Sequence, residues 1–221
     1  MIKKFRHELL LSVWIACALS IGFIIAINMK GILKESGWAE VTSAAATVIA
    51  LVLAIATFIS WKQQKIREDA YSTTKMYVSI LAIIETTTVE LANLFYSIVP
   101  AAGMIPPSDH QATKTLDEIQ EKNSYLILHS QKLILTKSEL PFWGVSLSPQ
   151  AEADHDLLIE TLNSYLNPLH HLHNSLTNYY IHKVSDNTFN QWWLGFNNKH
   201  LAINDLFNKR KSMNMHSMFN I

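Results

Sequence analysis

Two runs of 21 residues without a charge, Leu9 to Met29 and Val41 to Trp61, limit what this chain can become more than any other feature. At 1.5 Å per residue each makes about 31 Å of helix, the thickness of a bilayer's hydrocarbon core. Trp38 and Trp61 stand where interfacial aromatics belong. The connecting stretch "KGILKESGWAE" is too short to fold alone, so the two spans are read as a hairpin. Lys3, Lys4 and Arg6 precede the first span and Lys62, Lys65 and Arg67 follow the second, against only Lys30 and Lys34 between them. That asymmetry predicts cytoplasmic ends on both sides of the hairpin. The first run is too long for a cleaved signal and ends in no small-x-small site, so it is expected to be retained.

Charge and cysteine content narrow the classes further. Lys plus Arg equals Asp plus Glu at 18 each, which argues against a broad basic field and hence against direct nucleic-acid binding. The single cysteine, Cys17, lies within the first apolar run, so no intrachain disulfide forms and the polar part is expected in a reducing compartment. Neither span carries Asp, Glu, Lys, Arg or His, and a proton relay or charge-lined channel needs such groups at depth. Small residues recur at every fourth place instead: Ala18, Gly22 and Ala26 in the first span, Thr42, Ala46, Ala50 and Ala54 in the second. Such stripes let helix backbones approach closely in lipid, either within the hairpin or between copies of the protein.

From Trp38 to Val99 no Gly or Pro occurs in 62 residues, so the second span is predicted to continue as one long helix. Beyond the span, Ile66, Ala70, Thr73, Tyr77, Ile80, Ile84, Thr87, Leu91, Leu94 and Ile98 follow steps of four and three. That is the spacing of a packed helical seam, weakened here by its small and polar members. The loop "PAAGMIPPSD" precedes a second amphipathic stretch with Leu116, Ile119, Leu126 and Leu133 on one face. "ELPFWGVSLSP" is a second loop, whose Ser148-Pro149 pair reads as a cap and first turn. The third seam runs through Ala151, His155, Leu158, Leu162, Tyr165, Leu169, Leu172, Leu176 and Tyr179, with Pro168 expected to bend it. After "VSDN" a fourth follows through Phe189, Trp193, Phe196, His200, Ile203 and Phe207. The expected fold is therefore all-α: a transmembrane hairpin over residues 1–61, and a cytoplasmic antiparallel helical bundle over 62–210 reached through the long helix. Residues 211–221 form a tail, either without order or making a short contact through its Met and Phe residues.

Chemistry is sparse. His170, His171 and His173 cluster in "PLHHLHN", and His173 and His200 fall at similar heights, about 20 Å from the turn near residue 185. These four are the candidate metal or pH-responsive group; the competing reading is surface imidazoles plus one core histidine. Glu152-x-x-His155 has the spacing of di-iron bundles, but no second copy accompanies it and Glu152 falls beside the seam. No G-x-S-x-G and no glycine-rich phosphate loop occurs, so no catalytic residue and no cofactor is assigned. Phe142 and Trp143 are read as a lid on the core or an exposed contact point, and Trp192 and Trp193, being adjacent, cannot both face the centre. All four are candidate partner contacts.

The hairpin and the exit "SWKQQKIREDAYSTTK", over residues 9 to 95, resemble the small two-transmembrane effector proteins of bacterial antiphage systems, the retron type in particular. The resemblance is one of organisation. It implies a protein of the bacterial inner membrane that is held silent by protein partners and, once released, assembles and damages the membrane. The rival expectations are a passive membrane-tethered adaptor and a metal- or pH-responsive sensor. A fluorescent reporter fused after residue 221 is expected to fluoresce, and an alkaline phosphatase fused there to stay inactive; the reverse pattern would refute the inward orientation of the C-terminal end.

Overall fold

The computed structural model describes residues 21, 35–100, 106–211 and 213–220, and over these the protein is mostly helical and all-α. The first span, with Ala18, Gly22 and Ala26, lies outside the described residues apart from Ile21. Contacts divide the chain into two compact units, Met1–Glu68 and Asp69–Ile221.

Helix α1 runs from Glu35–Ile98, 64 residues without interruption; Gly37 lies in its first turn, and from Trp38 onward it holds no Gly or Pro. It is the one described helix long and apolar enough to cross a membrane, and none of its most apolar window is buried. In the first unit Val48, Leu51, Leu53, Ile55 and Phe58 are exposed. Ala45, Ile49, Val52 and Ala56 are half-buried, whereas Ala46, Ala50 and Ala54 are exposed.

In the second unit α1 presents Ala70, Thr73, Tyr77, Ile80, Ile84, Thr87, Leu91 and Ile98 to the core. Of the predicted seam, Leu94 is half-buried and Ile66 exposed. The buried threonines do not leave hydroxyls orphaned: Thr73 and Thr87 donate to the carbonyls of Asp69 and Ile83, and Thr74 and Thr88 to those of Tyr71 and Glu85. Each therefore shows the core its methyl while the helix's own backbone takes its proton.

Helix α2 follows at Asp109–Glu139, capped by Ser108, whose hydroxyl accepts from the Gln111 amide at 3.3 Å. A 3-10 turn, Leu140–Trp143, closes on Gly144, whose φ of 73° is left-handed backbone and suits glycine. The two-residue strand β1, Ser146–Leu147, leads into α3, Pro149–Thr177, capped by Ser148 as its sequence suggests. Pro168 sits inside α3 without ending it. After a π-helical turn at Asn178–His182 and a short loop comes α4, Phe189–Lys211. A single turn, α5 at Met215–Met218, and the strand β2 at Phe219–Asn220 complete the described chain. β2 pairs antiparallel with β1, a ladder too short to leave a periodic signature in sequence.

Contacts order these helices. Glu90 of α1 meets Lys122 of α2 at 2.6 Å, while Ser72 and Glu139 line one groove, so numbers rise along one helix as they fall along the other. The same opposition holds for α2 and α3, through Lys137 with Asp156 and the Leu116 carbonyl with His173. It holds again for α3 and α4, through Asp154 with Lys209 and His171 with Trp192. Phe196 is the hinge of the aromatic core, with Phe95 at 4.8 Å and Tyr165 at 5.2 Å.

Besides Ile66, a second predicted seam position is corrected, at the end of α3. Tyr179 is exposed and Tyr180 is buried in its place, its hydroxyl donating to the Ile98 carbonyl at 2.7 Å. The cause is the π turn, which places an extra residue in the last turn and advances the inward face by one. Accordingly Tyr180→Ala is expected to destabilise the second unit by about 3 kcal/mol and Tyr179→Ala by less than about 0.5 kcal/mol, read from denaturant midpoints of the detergent-purified protein.

Candidate functional site

The densest set of interacting polar groups lies where α1, α3 and α4 meet near one end of the second unit. Tyr77 is fully buried, and its hydroxyl is 2.9 Å from Nδ1 of His155, which is 3% exposed. The two rings stack at 5.8 Å. Tyr77 is a seam residue of α1 and His155 one of α3, so the periodicity that buries apolar side chains also brings this polar pair inward. Burial raises the Tyr77 phenol to about 12, with the Arg210 guanidinium beside it opposing part of the rise. Burial likewise lowers His155 to about 4, reinforced by the Lys137 and Arg210 cations and opposed by Asp156 and Glu152. Both groups are therefore neutral near pH 7, and their hydrogen bond fixes α1 against α3.

Asp154, the neighbour of His155, is also buried. It accepts from Lys209 of α4 and from Gln150, both at 2.9 Å. Burial works to raise its carboxyl, but those two bonds and the nearby Arg210 charge outweigh it and hold Asp154 below the usual carboxylate range. The terminal nitrogens of Arg210 are buried here, and the guanidinium lies close enough to the Tyr77 hydroxyl to oppose its rise. Phe219 of β2 packs edge-on against Tyr77 at 5.8 Å and closes this end. Tyr77 and His155 are both buried, and their bond positions the two helices.

The residues singled out by sequence do not converge. His170 accepts from the Asn174 side-chain amide, His173 bonds the Leu116 carbonyl, and His171 stacks on Trp192 at 4.0 Å. His200 is the buried one, bonded to Asn204 and held below its ordinary value by burial. Among the described residues no three His, Cys, Asp or Glu side chains are arranged to hold a metal ion. Glu152 is exposed and pairs with Lys137 at 3.3 Å. Phe142 and Trp143 part company: Phe142 is 80% exposed, which removes it as a lid, while Trp143 is half-buried behind it with ring centres 4.8 Å apart. Trp192 and Trp193 are both half-buried, the first on His171 and the second edge-on to Tyr96 at 5.2 Å. Asp154, Lys209 and Arg210 escaped sequence reasoning; the one signal was the doubled inward positions of α3, Asp154 beside His155 and Pro168 beside Leu169, which mark a helix covered on a wide face.

Comparison with protein-family models, with curated proteins and with solved structures finds no match to this chain.

The pH response of this site has a defined sign. His155 binds a proton in the fold only near pH 4, against 6.5 when unfolded, so between those values the unfolded chain takes up the proton and the folded one does not. Stability is expected to fall as pH drops from about 6.5 to about 4 and then to level off as regards this group. His200 adds to the fall in the same direction. Denaturant midpoints measured across that range should decline less steeply in His155→Gln than in the unaltered protein; equal slopes would refute the assignment.

Proposed function

We propose that this protein is a two-span effector of the bacterial inner membrane, with both ends and an antiparallel helical bundle on the cytoplasmic side, kept inactive by protein partners and acting by assembly within the lipid. The observation that carries the reading is α1: one helix whose first part exposes Val48, Leu51, Leu53, Ile55 and Phe58 and whose last part forms a core wall. Leaving such side chains in water costs about 25 cal/mol per Å2 of apolar surface, so lipid is their natural surrounding. The opposed numbering between neighbouring helices supports the antiparallel arrangement. Support for assembly comes from Ala46, Ala50 and Ala54, a small-residue row left exposed, because in lipid such rows serve close helix contact. An effector also needs a place where partners hold it, and Phe142, standing out on a rigid turn over Trp143, has the chemistry of an anchor residue.

The same Phe142 fits the alternative of a passive adaptor, whose bundle docks a partner and whose spans only tether. The two separate on over-expression. The effector reading expects loss of membrane potential and arrest of growth, and expects Ala50→Leu or Gly22→Leu to restore both while leaving the protein inserted at the same level. Unchanged membrane potential on over-expression, or toxicity that survives both substitutions, would sink it.

A further inference from the structure

The end of the described chain is held differently from the rest. Phe219–Asn220 pairs with Ser146–Leu147 in a two-residue antiparallel ladder, Leu147 opposite Phe219 and Ser146 opposite Asn220. The Ser148 amide donates to the Met218 carbonyl at 2.8 Å, and the Asn220 side-chain amide donates to the Leu147 carbonyl at 3.4 Å. Met218 and Phe219 are buried, and the Phe219 ring meets Tyr77 edge-on. Among the described residues the strand pairing and the fully buried side chains of this tail thus fall on three consecutive residues, while Met213 packs half-buried against the core. That is how an extended peptide is received by an exposed strand edge.

What precedes these three residues keeps its own shape. Asn214 and Ser217 bond one another four times: Ser217 N to Asn214 Oδ1 at 2.9 Å and to Asn214 O at 3.1 Å, Ser217 Oγ to Asn214 O at 2.8 Å, and Asn214 N to Ser217 Oγ at 3.0 Å. The single turn of α5 is therefore closed locally, and a segment pre-shaped in this way loses little freedom when it docks. Strands of two residues are too short to be stable by themselves, and elements tied by so few bonds open far below the global unfolding free energy.

The receiving surface is held by chain on both sides, between α2 and α3, whereas Met218 and Phe219 join the same buried core from a two-residue strand and a single turn. Leu140, Val145, Leu147 and Ala151 are buried together with Tyr77, whose hydroxyl meets His155. From this difference we infer that residues 213–220 are a detachable ligand, and that the socket formed by Tyr77, Ser146, Leu147 and Ser148 is a peptide-binding site. Its ligand class is an extended segment with an apolar residue, then a phenylalanine, then a side-chain amide. The resident copy occupies it because it is tethered to α4, which gives it a high effective concentration. The same segment presented by another molecule has the chemistry to replace it. This inference stands apart from the membrane reading.

The test uses the full chain in detergent and a labelled synthetic peptide of residues 213–221, MNMHSMFNI. Receptors are the unaltered chain, a chain ending at Lys211, and the full chain carrying Phe219→Ala, which empties the aromatic pocket while keeping the tail. The peptide is expected to bind both altered chains and to bind the unaltered chain at least about tenfold more weakly, since there its own tail competes. A peptide with Phe219→Ala should lose at least about tenfold in affinity on every receptor. Equal binding to altered and unaltered chains, no binding to a helical Phe219→Ala chain, or indifference to the peptide's phenylalanine would overturn the proposal. Unfolding of both altered chains would also overturn it, because the tail would then be a fixed part of the core.

Discussion

In proteins most of a helix's stability comes from the packing of one face, so the surroundings of each stretch of the 64-residue α1 decide how it is held. In α1 the covering differs along the length. The stretch around Leu51 and Phe58 is uncharged and leaves most of its side chains exposed among the described residues, whereas the stretch from Ala70 to Ile98 alternates a buried face with charged residues such as Lys75 and Glu90. Everything else in the second unit is arranged to supply that buried face. α2, α3 and α4 each turn one apolar stripe inward, and Phe196 and Tyr165 fill the middle where the stripes meet.

Much of this was legible because it depends on period. The four-three steps that place Tyr77, Ile84, Leu91, Leu126, Leu162, Phe196 and Ile203 in the core are properties of an ideal helix and need no knowledge of neighbours. The reading failed where helices are not ideal or where a partner decides. Tyr179 and Tyr180 exchanged roles because one wide turn altered the period, and no local residue type announces such a turn. Sequence left Phe142 open between a lid and an exposed contact point, because hydrophobicity alone does not say which way a residue on a 3-10 turn points. The histidines illustrate the same limit: proximity in sequence put His170, His171 and His173 together, yet on a helix their side chains leave in different directions, toward Asn174, Trp192 and Leu116.

The buried polar groups were visible only in part. Tyr77 and His155 each lay on a predicted seam, so their burial was expected, but their mutual bond depends on the relative height of α1 and α3. Asp154 with Lys209 depends on the turn between α3 and α4 and on 55 residues of intervening chain. The β1–β2 ladder is two residues long, below the length at which alternation can be recognised.

The threonines of α1 carry a last implication. Because Thr73, Thr74, Thr87 and Thr88 spend their hydroxyls on their own helix, the surface they offer to neighbours is methyl and has no directional preference. Such a surface resembles a greased rail, along which an adjoining helix could glide by a fraction of a turn with little enthalpic resistance. Its travel is stopped by polar pins, the phenols of Tyr77 at one end and Tyr180 at the other with the Glu90–Lys122 and Tyr96–Asn197 contacts between them. A few polar groups thus set the alignment that the seam itself leaves free.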